Sequence, residues 1–316
     1  MKHAWFAFCI LALATGAASA QDFPSRTLRI ISPYSAGGLG DILPRLVGRA
    51  LQEQLGQSVI IENIPGASTI MGTVAAAKAA PDGHTLLFTS ATTMAVNPNS
   101  QRNLAYDPVR DFTPVALAFN SAFYLIVNPA LGVNSIAELI ALAKSKPGKL
   151  TYASGGNATA SHFAGELFKA RAGVDIIHVP YKGAGPGLVD VMNGHVDMTF
   201  EASGAEIVRQ GTLRVLAMSD TKRSPAAPEI PTMQEAGLPG YEVNVWFGFV
   251  APAGTPKPLA SLLSREIGKA LASPELREKV HGVDITPSTP EEFAAKIPAD
   301  IEWWRRAIAE TGIQFE

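Results

Sequence analysis

The sequence predicts an α/β protein of two domains, each a mostly parallel sheet flanked by helices, with a ligand cleft between them. Three observations predict it. From Leu28 onward, short apolar runs alternate with segments of helical periodicity, the pattern of strands joined by helical crossovers. A strand, a Ser/Gly-rich loop and a helix start occur twice, at Leu28 to Asp41 and at Leu150 to Ser161. The chain of 316 residues is also long enough for two cores.

Residues 1–20 read as a secretory leader. Lys2 and His3 form a basic start, Phe6 to Ala14 is an apolar core too short to span a bilayer, and Ala18-Ser19-Ala20 is a small-residue cleavage site. The mature chain would begin at Gln21. Cys9, the single cysteine, would leave with the leader, and Phe6-Ala7-Phe8 before it does not suit a lipid anchor. A free exported protein without disulfides is expected, located in the periplasm. With 26 basic and 28 acidic side chains, the net charge of −2 argues against nucleic acid and anionic lipid as partners.

Leu28 to Ile31 predicts a strand that delivers Ser32 to Asp41 into a helix. Asp41 is read as the N-cap, Leu43, Leu46, Val47, Ala50, Leu51 and Leu55 recur at helical spacing, and Gly56 supplies the stop. Such a loop either cradles an anion on unpaired N–H groups or simply turns tightly. Strand Ser58 to Ile61, turn Asn63 to Gly66, helix Ser68 to Ala80, turn Pro81 to Gly83 and strand His84 to Thr89 complete a βαβαβ unit. Ligands of such sheets sit at the carboxyl ends of the strands, which brings Ser32 to Gly40 and Ser90 to Thr93 to one site.

A second unit follows the polar stretch Asn97 to Asp111. Its expected strands are Val115 to Phe119, Tyr124 to Asn128, Leu150 to Ala153, Ile176 to Val179, Asp197 to Phe200 and Leu213 to Ala217. Ser135 and Glu138 form a capping box for a helix through Lys144; another helix carries Phe163, Leu167 and Phe168, and a third lies around Leu188 to Met192. Val243 to Val250 is an extended apolar run that returns to the first unit. Thr255-Pro256, Ser273-Pro274 and Thr289-Pro290 each open a helix, and Pro298 is expected to kink or end the last one. The domains are thus expected at 21–120 with 245–316, and at 121–244, with crossovers near 112–124 and 240–250.

Two inward-facing loops of N–H groups and hydroxyls suit a small organic anion, especially one with carboxylates at both ends, and a hinge would let the halves close. Ser161 beside His162 suggests a hydrolase only weakly, since adjacent residues rarely point together. His84, His162, His178, His195 and His281 show no metal-binding spacing, and Gly37, Gly38 and Gly40 form no dinucleotide or Walker motif, so no metal or cofactor is expected. Lys182 either balances ligand charge or is a solvated loop lysine. Tyr34, Phe163 and Tyr181 either stack on a ligand or pack, and Trp303 and Trp304 are expected to cover the core or the domain junction.

Several stretches carry a family resemblance. Pro33 to Asp41, Glu62 to Ala67, Ala79 to Leu87, Tyr152 to Asn157, Ser161 to Phe168, His178 to Gly183 and Ala251 to Pro256 resemble the tripartite tricarboxylate transporter receptors, extracytoplasmic solute-binding proteins also called Bug proteins. The resemblance implies a periplasmic-binding-protein (Venus-flytrap) fold, no catalysis, and handover of a captured carboxylate to membrane transporter components. It places a ligand carboxylate on the loop Tyr34, Ser35, Ala36, Gly37, Gly38, Leu39 and Gly40, with Asp41 capping the helix behind. Ser90 and Thr92 would add hydroxyls; Ser154, Asn157, Ala158, Thr159 and Ser161 would meet the other end, and Tyr181 and Lys182 would line the wall. Leu39 and Gly40 stand where a small polar residue and Thr are common, and Glu201 stands where Asp is frequent, which leaves its part in ligand binding open. A di- or tricarboxylate, an amino acid or an aromatic acid all fit, with the receptor a monomer. The competing readings are an exported carboxylate-ester hydrolase on the same fold and a receptor that presents its ligand to a membrane sensor.

Overall fold

The unbroken apolar run of β1 (Leu28–Ser32) requires cover on both faces, and the strand lies inside a sheet, parallel to β2 (Val59–Asn63) on one side and β3 (Thr85–Ser90) on the other. Helices α1 (Leu39–Leu55) and α2 (Ile70–Ala77) make the crossovers. The computed structural model describes residues 23–311, apart from 205, 206, 208, 209, 225, 226, 281 and 282. The stretch expected to be a leader, with Cys9, and also Gln21 and His281, lie outside the described residues.

The first sheet has six strands, completed by β4 (Phe112–Ala122), β10 (Asn244–Pro252) and β11 (Asp284–Ile285), in the order β11-β4-β10-β3-β1-β2. The second has five: β5 (Tyr124–Val127), β6 (Thr151–Ser154), β7 (Ile177–Pro180), β8 (Met198–Glu201) and β9 (Arg214–Met218), in the order β7-β6-β8-β5-β9. Helix α3 (Asn97–Ser100) precedes the crossing, and helices α4 (Ile136–Ser145), α5 (Ala160–Ala172) and α6 (Ala184–Met192) lie between the strands of this second sheet in the chain. The fold is a two-domain Venus flytrap. Its sheets are mixed instead of mostly parallel. β1, β2 and β3 pair in parallel, as do β6, β7 and β8, whereas β10, β4 and β5 pair antiparallel with their neighbours. The reason is the crossing itself: only Phe123 separates β4 in one sheet from β5 in the other, so no crossover helix returns the chain to a parallel direction.

Ser219 ties both crossings together. The Phe123 N–H donates to Ser219 Oγ at 2.8 Å, the Ser219 N–H donates to the Phe123 carbonyl at 2.8 Å, the Val243 N–H donates to the Ser219 carbonyl at 3.2 Å, and the Ser219 hydroxyl donates to the Val243 carbonyl. The strongly apolar β10 then enters the middle of the six-stranded sheet, between β3 and β4.

Several helix ends follow their chemistry. Gly56 closes α1 in the left-handed conformation, Ser135 caps α4, Ser273 caps the helix Pro274–Lys279, and Thr289 and Glu292 exchange backbone N–H bonds at the start of Pro290–Thr311. Asp41 is not the cap of α1: Gly38 holds that position and Asp41 sits in the first turn. Thr255 does not cap Lys257–Ala272, since its hydroxyl turns back to the Pro252 carbonyl at 2.8 Å. Pro298 does not end the last helix, which runs through it to Thr311. Trp304 of that helix is buried and meets Phe163 of α5 edge-on at 4.8 Å, so it covers the junction, while Trp303 is largely exposed.

Candidate functional site

A cleft of about 310 Å³ opens between the sheets, and the starts of α1, α5 and α6 all reach it. At the start of α1, Pro44 lacks the N–H that would bond the Gly40 carbonyl. The buried Ser32 hydroxyl donates to that carbonyl instead, at 2.6 Å, and so anchors the helix start to the end of β1. Leu39 and Gly40 line the cleft, and as the first two helical residues they have N–H groups with no intrahelical partner. Glycine at position 40 is needed because a Cβ there would overlap the Tyr34 ring.

Five residues expected in the first loop stand behind the cleft wall. The Asp41 carboxylate accepts hydrogen bonds from Arg45 Nε at 2.8 Å, Asn63 Nδ2 at 2.9 Å and the Gly37 N–H at 3.2 Å. Burial pushes its pKa up, but these bonds and the Arg45 charge outweigh burial and hold it below the usual carboxylate range. Ser35, Ala36 and Gly38 face the other half of the molecule. A Cβ added at Gly185 would lie 2.6 Å from the Ala36 carbonyl, one at Gly183 would strike the Ser35 hydroxyl, and one at Gly38 would touch Ala184 at 3.4 Å. The loop tip therefore packs against the start of α6.

The second loop divides in the same way. Asn157, Thr159 and Ser161 line the cleft together with Gly155 and Gly156. Thr159 caps α5, and the Ser161 hydroxyl accepts the Gly155 N–H at 3.0 Å. Ser154 and Ala158 do not line it. Ser154 Oγ pairs with His178 Nε2 at 2.6 Å, and Ala158, at φ 58°, donates its N–H to His162 Nδ1 at 3.0 Å. His162 stacks on His178 with centroids 3.9 Å apart, and His178 stacks on Tyr152 at 4.8 Å. Burial lowers the His162 pKa to about 4; burial and the neighbouring His162 lower that of His178 to about 3. Both rings are neutral. His162 thus supports the loop, and its Nδ1 is not directed at the Ser161 hydroxyl as a base would be.

Sequence reasoning missed a third wall. Gly66, Ala67, Ser68 and Thr69 line the cleft, with the last three at positive φ, a conformation that non-glycine residues adopt at a cost. Asn97 holds it, donating to the Ser68 carbonyl at 2.8 Å and to Thr69 Oγ1 at 3.3 Å. The small-residue run Gly66 to Thr69 is the signal that could have marked it as a loop. The sequence places Gly66 in a turn and a helix start at Ser68, whereas the helix begins at Ile70.

Hydrogen bonds cross the cleft from Ser68 Oγ to the Asn157 carbonyl and from the Ala160 N–H to Thr92 Oγ1 at 3.1 Å. Thr92 lies in a π-helical turn (Thr92–Val96), not in an open loop. The Tyr34 hydroxyl pairs with Ser90 at 2.5 Å, and burial pushes its pKa up to about 12. Tyr181 lines the wall with its hydroxyl on Asp190 at 2.5 Å, Lys182 lines it beside Tyr181, and Phe163 is buried away from the cleft. The floor is Phe123, Ala202, Val245 and Phe247, with Glu201 among them. Among the described residues, no cluster of His, Cys, Asp or Glu is placed to hold a metal ion.

Helix N-termini, hydroxyls and one lysine around an apolar floor suit an organic anion. Comparison with known proteins agrees. The model of the "Tripartite tricarboxylate transporter family receptor" matches residues 43–313. The chain belongs to this receptor family. Among its relatives, the receptor resembles Protein BugT of Bordetella pertussis, with 36% identity over 303 residues covering 94% of this chain and 93% of BugT. An R. palustris structure determined with adipate superposes with a TM-score of 0.89 at 34% identity, covering 93% of this chain and 99% of the other. MatC from Rhodopseudomonas palustris, with bound malate, gives a TM-score of 0.86 at 30% identity, covering 90% and 100%. Receptors of this family are solute-binding proteins, and their solved relatives include periplasmic binding proteins such as BugD.

Proposed function

We propose that this receptor is an exported, monomeric periplasmic protein that captures a small organic carboxylate by closing its two halves, 21–120 with 245–316 and 121–244, and hands it unchanged to the membrane components of a tripartite tricarboxylate transporter. The observation that carries this reading is the meeting of the α1, α5 and α6 N-termini in one cleft. Each brings the positive end of a helix dipole to the cleft, and at α1 the Leu39 and Gly40 N–H groups have no intrahelical partner, so a carboxylate is stabilised without a buried arginine. Leu39, Gly40, Ser90, Asn157, Thr159, Ser161, Tyr181 and Lys182 are the residues we assign to ligand contact. The cavity volume suits a small acid. Adipate and malate in the two superposed structures support the ligand class.

The test is a thermal-shift screen of residues 21–316 against mono-, di- and tricarboxylic and aromatic acids. A ligand that binds only the native state stabilises it by about 2.7 kcal/mol at a hundredfold excess over its dissociation constant. Saturable stabilisation with the acid recovered intact is the expected result. No shift from any acid, or consumption of the one that binds, would overturn the reading.

A further inference from the structure

The cleft built to hold an anion has an acidic side chain in its floor. Glu201 ends β8, is 7% exposed, and stands among Phe123, Ala202, Val245 and Phe247. Burial pushes its pKa up to about 7 against a single opposing bond, from the Ala202 N–H. The titratable groups around it are few. Tyr34 faces it from the loop after β1 as an un-ionised phenol, and Tyr124 on the neighbouring strand β5 pairs opposite it with its own pKa raised by burial. Strand β10 contributes only Val245 and Phe247, and β3 contributes Ser90. Tyr181 and Lys182 lie on the cleft wall before α6; Lys182 is the cation among the described lining residues, and no ion pair joins it to Glu201. An ionised Glu201, unpaired with Lys182 and withdrawn from bulk water, would thus repel an incoming anion.

We propose that Glu201 works as a neutral carboxylic acid, donating a hydrogen bond to the ligand at the floor of the cleft, so that capture of a dicarboxylate dianion takes up one proton from solvent. The proposal rests on the carboxylate-receptor reading. The balance is simple: ionised receptor, ligand dianion and one proton give a complex in which the Glu201 oxygen carries the proton. Below the titration of the free receptor, Glu201 is already neutral and affinity is level. Above it, every binding event must fetch a proton, and affinity falls by up to tenfold per pH unit. Glutamate at this position makes the site a selector for acceptor-bearing ligands, and also a pH-dependent one.

The experiment is calorimetric titration of the mature protein and of Glu201→Gln with adipate and with malate, from about pH 6.5 to about pH 8.5, above the ordinary carboxylate pKa of the ligands. Each titration is run in two buffers of different ionisation enthalpy, which counts the protons exchanged. The expected result is an affinity that declines above about pH 7 with proton uptake approaching one, and a Gln variant that binds with a flat profile and no uptake. A flat wild-type profile, or proton release on binding, would overturn the proposal while leaving the receptor reading intact. Failure of both acids to bind either protein at any pH would overturn the proposal, while the receptor reading is decided by the wider acid screen. The wild-type proton count decides the matter even if the variant does not fold.

Discussion

At the residue scale, His162 shows how a side chain outside the cleft shapes it. Its Nδ1 accepts the N–H of Ala158, which is held at positive φ. His162→Ala should leave that N–H unpaired, cost about 1–3 kcal/mol of stability and weaken adipate binding, whereas His162→Gln keeps an acceptor and should recover much of both; urea unfolding and calorimetry measure them. The ring also titrates. Its pKa is lowered to about 4 in the folded state, so the folded protein binds fewer protons than the unfolded one below the ordinary histidine value of 6.5. Stability is therefore full above that value and falls as pH drops toward 4, with His178 continuing the loss toward 3. Unfolding free energies from urea titrations at about pH 7 and about pH 4.5 should differ by a few kcal/mol, and His162→Gln should reduce the difference. The sequence alone places His162 at a helix start as a packing or hydrogen-bonding group, and that much was legible. The strained backbone it serves was not, because an alanine at positive φ leaves no compositional trace.

At the element scale, boundaries were legible where a side chain makes them. Ser135, Ser273 and Thr289 stand at helix starts that could be read from the sequence, because a hydroxyl followed by a carboxylate or a proline has one favourable place in a helix. α1 was misread because two functions compete there: Asp41 gives its carboxylate to Gly37, Arg45 and Asn63, which leaves Gly38 to open the helix. The Ser32 to Gly40 bond is the companion feature. Ser32→Ala should cost about 1–3 kcal/mol, since the Gly40 carbonyl then has no donor. In a Pro44→Ala background, a restored N–H reaches the same carbonyl and the cost of Ser32→Ala should shrink; an unchanged cost in that double-mutant cycle would refute the link.

At the scale of the whole molecule, the two α/β halves and their facing loops followed from the repeated strand, Ser/Gly loop and helix. The mixed sheets did not, because an apolar run carries no mark of its direction. The closing surface also escaped notice: Ser35 to Gly38 read as ligand contacts, yet they meet Gly183 to Gly185 across the cleft. Gly185→Ala tests that surface. Its Cβ would lie 2.6 Å from the Ala36 carbonyl, so the halves should close less completely and adipate affinity should fall by about tenfold or more, with the unfolding temperature little changed. Small-angle scattering with and without adipate would report the gap, and unaltered affinity would remove the closing role.

The same seal has a kinetic consequence. On the proposed closure, with the loop tips seated on α6 and Ser68 and Thr92 bonded to the opposite loop, an acid held in the cleft would leave as the halves part. Residence time then belongs to the protein more than to its cargo: acids of different affinity should leave at converging rates, each paced by the parting of the halves. A membrane partner that prises the seat apart would set the pace of delivery without touching the acid at all.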